Sequence, residues 1–105
     1  MRRGEVWWAR LPEAGGKRPV LLLSRDVSYI AREQVTVAEI TTNIRGIPVE
    51  VELDKEDGMP RHCCVNLDNI VTIPKDRLTG IATTLTPAKM AQVSEKIAYA
   101  LGLVL

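Results

Sequence analysis

Two hydrophobic periods divide this sequence, and together they leave few folds open. In "VEVELD" the apolar Val49, Val51 and Leu53 alternate with Glu50, Glu52 and Asp54, the period-two pattern of a strand with one face in the core and an acidic face in water. From Met90 the spacing changes: Met90, Val93, Ile97 and Leu101 recur at helical intervals opposite Lys89, Gln92 and Lys96, which describes one amphipathic helix. Thr86 is its natural N-cap, Pro87 takes the first helical position, where a missing amide proton costs nothing, and Gly102 is the expected stop.

The rest of the chain reads as strands. "GEVWWARL" ends at Pro12 and is followed by the turn-rich "EAGGK", which predicts a hairpin leading into "RPVLLLS". Val20 to Leu23 form a continuous apolar run, as suits a strand buried on both faces. "DVSYIAREQ" predicts one helical turn or an excursion over the sheet, and "VTVAEITT" resumes strand composition. "KEDGMPR" is a loop by its Asp57-Gly58 and Pro60 signals; "CCVNLDNIVTI" then predicts a strand kinked or bulged near Asp68 and Asn69, and "TGIATTL" a last one. The sum is an α+β, mainly β fold: one domain over residues 1–105, an antiparallel sheet with a helix packed on it.

Composition sets the compartment and limits the partners. The chain is 46% hydrophobic and 26% charged, ordinary for a soluble globular protein, and no apolar run is long enough to cross a bilayer. "MRRGEVWW" lacks the regions of a signal peptide, so the expected location is the cytoplasm, away from membranes. A net charge of +1 argues against coating nucleic acid by bulk electrostatics, yet through Gly46 eight Lys or Arg face five Asp or Glu, which allows a local basic surface in the first half. Cys63 and Cys64 are neighbours behind the single histidine, His62. Three consecutive residues do not close a tetrahedral zinc cage, so free thiols and no metal are expected.

Familiar catalytic sets are missing: the chain has no Walker-type phosphate loop and only one histidine, so no histidine pair. What remains is arginine and hydroxyls at strand ends. Arg18 precedes Pro19, which holds it extended at the mouth of the Gly15-Gly16 loop. Its guanidinium is a permanently charged planar fork suited to a phosphate. "EITTN" puts Thr41, Thr42 and Asn43 at the far end of another strand, where strand pairing could bring them beside Arg18. From the residues alone, Arg18 reads first as a solvated charge, and "TTN" as a strand end with turn chemistry.

At this point "RRGEVWWARLP", "GKRPVLLLSRD", "VAEITTN", "CCVNLDNIVTIPKDRL" and the closing helix, in that order, resemble the MazF/PemK toxins of bacterial type II toxin–antitoxin modules. The resemblance covers nearly the whole chain. It implies a compact SH3-like, PemK-like antiparallel barrel-like sheet, a homodimer, and a metal-independent endoribonuclease needing no cofactor. Such an enzyme cuts single-stranded RNA at short sequences through the substrate's own 2′-hydroxyl, leaving 2′,3′-cyclic phosphate and 5′-hydroxyl ends and halting translation. A MazE-like antitoxin covers the RNA groove. The family's catalytic arginine maps onto Arg18 and its catalytic threonine onto Thr41, with Lys17, Ser24, Thr42 and Asn43 expected as RNA contacts. The loop "EAGGKRP" is shorter than in many members, with Glu13 an approximate counterpart of their loop glutamate, and this implies a more open groove. Two rivals remain at this stage: a non-enzymatic toxin of the same fold that poisons gyrase, as the CcdB group does, and an inactive member that only binds RNA or its antitoxin.

Overall fold

The computed structural model describes residues 1–103 of the chain. Its strands are β1 (Glu5–Leu11), β2 (Gly16–Leu22), β3 (Gln34–Thr41), β4 (Glu50–Leu53), β5 (Cys63–Pro74) and β6 (Leu78–Thr84), and its α-helices are the single turn α1 (Ser28–Ala31) and α2 (Pro87–Ala100). The six strands form one sheet in the order β4-β5-β3-β2-β1-β6, every pair antiparallel. The expected elements are all present, and the fold is the mainly β sheet plus C-terminal helix that the two periods require.

The sheet curls until its edges approach. Thr83 Oγ1 on β6 donates to the carbonyl of Asp57, just beyond β4, at 2.9 Å. Gly58 makes that approach possible: its φ is +89°, and a Cβ there would run into the Thr83 side chain. Helix α2 fills the concave side, with Val93 fully buried and Met90, Ile97 and Ala100 packed against a cluster that includes Val6, Leu21, Ile40, Leu53, Val65 and Leu67. Thr86 Oγ1 accepts the N–H of Lys89 at 3.2 Å, the capping bond its position predicts, and Lys89 reaches back to the Glu52 carbonyl at 3.2 Å and to Asp57 Oδ1 at 3.6 Å. Leu101, expected on the buried stripe, is 60% exposed. It is the C-cap residue, one step past the last helical turn, and Gly102 then turns to φ +69°.

A second cluster occupies the other face: Val20 and Leu22 of β2, Val35 and Val37 of β3, Ala9, Leu11, Tyr29 and Ile73, with Trp7 and Leu78 packed against it. Val20, Leu21 and Leu22 therefore alternate between two cores and are all 0% exposed, as the apolar run predicts. Strand β5 carries the expected irregularity. Ala38 pairs with Ile70, but Ile40 pairs with Val65, so Glu39 alone on β3 stands against residues 66–69. Among the described residues no helix is long and apolar enough to cross a membrane.

Candidate active site

Strand period and one proline build the cleft. On β2, Arg18 points to the same side as Val20 and Leu22; on β3, Glu39 and Thr41 point to the same side as Val35 and Val37. The face that carries the second core cluster thus continues, at one end, into polar groups. The β2–β3 ladder pairs Leu22 with Val37, Leu21 with Ala38 and Val20 with Glu39. Pro19 has no N–H to extend it, and continuing the register two residues sets Arg18 across from Thr41 where the strands part.

Two adjoining cavities open there, sharing Arg18 and Thr41. The larger, about 510 Å³, is lined by Trp8, Lys17, Arg18, Thr41, Thr42 and Arg61, with Ile40, Met59 and Cys63 among its apolar lining. The smaller, about 230 Å³, adds Glu39, Asn43, Arg45, Asn66 and Asn69. Lys17, Arg18, Thr41, Thr42 and Asn43, separated by up to 26 positions in sequence, are divided between these two cavities, with Arg18 and Thr41 lining both. Ser24 stays apart: it lines neither cavity, and its Oγ accepts the N–H of Thr36 at 2.8 Å.

Local bonds hold the polar groups in place. Thr41 Oγ1 accepts the N–H of Asn43 at 3.1 Å, a short turn that fixes the oxygen and leaves its O–H proton for a ligand. The guanidinium of Arg18 lies over the hairpin turn, where a Cβ on Gly15 would stand 3.7 Å from Nη2; Gly15 has φ +90°. Lys17 Nζ sits 5.9 Å from the centroid of Trp8, within range of a cation–π attraction. The two tryptophans divide as strand alternation predicts: Trp7 packs on the second core and donates Nε1–H to Glu5 at 2.9 Å, and Trp8, on the first-core face with Val6, lines the larger cavity beside Ile40, Met59 and Cys63. Glu50 accepts the N–H groups of Arg45 and Gly46 at 3.1 and 2.8 Å and so pins the loop that carries Arg45. Partial desolvation opposes its ionisation, but these backbone donors prevail and keep its carboxyl below the ordinary range.

Burial holds both thiols in their protonated form. Burial, reinforced by Asp57 and Asp54, pushes Cys63 up; burial and then Glu50 push Cys64 to about 11. Both stay protonated near neutrality. His62 is exposed, its Nε2 2.8 Å from Glu52 Oε1, and it lines neither cavity.

Permanent cations and a hydroxyl around an open cleft, with an aromatic face beside them, suit a polyanion with stackable bases. Residues 2–101 match the family described as PemK-like, MazF-like toxin of type II toxin-antitoxin system. The chain belongs to the PemK/MazF toxin family. Its sequence is 39% identical over 103 residues to a probable endoribonuclease MazF2 of Mycobacterium tuberculosis, covering 97% of this chain and 99% of that protein. In three dimensions it resembles the Mycobacterium tuberculosis toxin MazF-mt6, with a TM-score of 0.88, 34% identity, and coverage of 96% of this chain and 99% of the other. It is likewise similar to an endoribonuclease in complex with its cognate antitoxin from a mycobacterial species, with a TM-score of 0.90, 32% identity, and coverage of 100% and 98%.

For this PemK/MazF member, sequence reasoning named the strand-end residues and passed over Glu39, Arg45, Arg61, Asn66 and Asn69. Asn66 carried the one available signal, a polar residue inside an otherwise apolar strand segment next to the expected bulge.

Proposed function

We propose that the chain is an endoribonuclease toxin that cleaves single-stranded RNA without a metal ion. The observation that carries this is the convergence of Arg18 and Thr41, on paired strands β2 and β3, on the same two adjoining cavities. In the reaction the 2′-oxygen of the substrate bonds to phosphorus while the bond from phosphorus to the 5′-oxygen breaks. The 2′-hydroxyl loses its proton, the departing 5′-oxygen gains one, and the products are a 2′,3′-cyclic phosphate and a 5′-hydroxyl.

Negative charge builds on the non-bridging oxygens as the new bond forms, and the Arg18 fork and the Thr41 hydroxyl favour that state over the ground state. Arg18 is not the base, because a guanidinium does not give up its proton in proteins. Lys17, Arg61 and Arg45 hold flanking phosphates, Thr42 and Asn43 offer hydrogen bonds to the sugar or base, and Trp8 supplies a face for a base to stack on.

The chain acts in the cytoplasm as a homodimer. An antitoxin with an acidic, extended segment neutralises it by lying along the same basic cleft; the similar solved endoribonuclease was captured with its cognate antitoxin. The test is incubation of purified protein with a long single-stranded RNA in EDTA. Fragmentation by wild type that is lost in Arg18→Ala supports the proposal. Intact RNA at high protein concentration sinks it.

A further inference from the structure

The smaller cavity holds groups that the phosphate chemistry does not use. Asn66 is only 7% exposed, and its Oδ1 accepts the N–H of Asp68 at 2.9 Å. A backbone N–H requires an acceptor, so that bond fixes the amide and leaves Nδ2 as a donor available at the cavity that Asn66 lines. Nor is Nδ2 sealed in the core: among the described residues the Tyr29 hydroxyl is the buried side-chain polar atom left without a partner.

Glu39, on the neighbouring strand, lines the same cavity as the single β3 residue against the 66–69 bulge. Its carboxylate enters none of the ion pairs among the described residues. A carboxylate inside a basic RNA cleft works against phosphate binding, and a nearly buried amide is costly unless it finds a partner. Both make sense as readers of a base.

We propose that Glu39 and Asn66 form a pocket that selects guanine at a nucleotide adjoining the scissile phosphate. This rests on the ribonuclease reading and adds a specificity to it. The Watson–Crick edge of guanine runs acceptor, donor, donor: O6, N1–H and the N2 amino group. The Glu39 carboxylate accepts from both donors, and Asn66 Nδ2 donates to O6. Uracil flanks its single donor with two carbonyls, and adenine and cytosine each offer one donor beside a lone pair, so all three turn an acceptor towards the carboxylate and are rejected. Single-stranded RNA leaves this edge open for reading. Arg18 and Thr41 border both cavities, so a base in the smaller one belongs to a nucleotide next to the phosphate they hold.

The test uses heptamers of mixed flanking sequence with a single ribonucleotide. Guanine, hypoxanthine, adenine, cytosine or uracil is placed at each of the positions flanking the one phosphate open to 2′-hydroxyl attack, and all-deoxy counterparts read binding alone. At one of these positions guanine should bind about tenfold more tightly than hypoxanthine, which lacks the amino group paired to a charged acceptor. Glu39→Gln keeps the side-chain size and should bring that ratio close to one; Asn66→Asp, which sets an acceptor against O6, should weaken guanine binding at the same position. Binding indifferent to guanine, or a guanine-to-hypoxanthine ratio unchanged in Glu39→Gln, overturns the pocket. Guanine-selective binding without cleavage of the ribonucleotide forms keeps the pocket and removes the ribonuclease reading. Cleavage without guanine selectivity does the reverse.

Discussion

Arg18 and Thr41 line the same two cavities at the point where β2 and β3 part, and the register of the Val20–Glu39 pair, continued two residues, sets them across from each other. The fork belongs to the strand held between both cores, and the hydroxyl to the strand anchored by Val35 and Val37. On the proposed reading, two strands already fixed in the sheet hold both electrostatic donors ready for a transition state. Replacing Arg18 by Lys keeps the charge and loses the planar fork; replacing Thr41 by Val keeps the shape and loses the hydroxyl. Each should lower the single-turnover cleavage rate by about 10²- to 10³-fold, with thermal unfolding unchanged, because Arg18 is exposed and Thr41 partly so.

Trp8 and Lys17 should separate by the kind of binding they lose. Trp8→Ala removes a stacking face worth about 1–3 kcal/mol and should weaken RNA binding at all salt concentrations, with Trp8→Phe recovering most of it. Lys17→Ala should instead reduce the slope of log binding constant against log salt by about one. Fluorescence anisotropy with a short RNA over a salt series distinguishes the two.

Gly58→Ala should destabilise the fold by about 1–3 kcal/mol, because it forces a side chain to φ +89° and into Thr83 at the point where the curled sheet closes. Gly46→Ala is the comparison. Gly46 also has positive φ, +70°, but nothing lies within 4 Å of the added carbon, so urea denaturation should show it paying only the backbone strain.

Stability should fall as pH rises from 9 to 11. The folded chain holds the Cys64 proton up to about 11, against an ordinary value of 9.0. Between those values the unfolded state has released the proton and the folded state has not, so each step up in pH favours unfolding. Cys63, also raised, contributes in the same direction. Cys64→Ser should flatten the slope of urea midpoint against pH in that window.

Much of the fold could be read because its signals are local. Alternation in "VEVELD", the Thr86-Pro87 cap and the Asp57-Gly58 turn each depend on neighbours in sequence, and each appears where expected. Leu101 shows the limit of a periodic rule: it has the right spacing but lies one residue past the end of the helix. The site was legible in part for the same reason. Arg18 before Pro19 and the "TTN" strand end are local features, and pairing of adjacent strands joined them. Glu39 and Asn66 were hidden because they meet through a three-residue slip in the β3–β5 register, and no alternation pattern states the partner strand's register. Arg61 reaches the cleft from a loop whose composition marks it only as a loop.

The chemistry of the new RNA ends separates attack by the substrate's own 2′-hydroxyl from every other route to cleavage. Fragments produced in EDTA should accept label from polynucleotide kinase without prior phosphatase treatment, and their 3′ ends should carry the mass of a 2′,3′-cyclic phosphate. An RNA with 2′-O-methyl groups throughout should stay intact. Fragments with 5′-phosphates, or cleavage of the 2′-O-methyl RNA, would contradict attack by the substrate's own hydroxyl under Arg18 and Thr41.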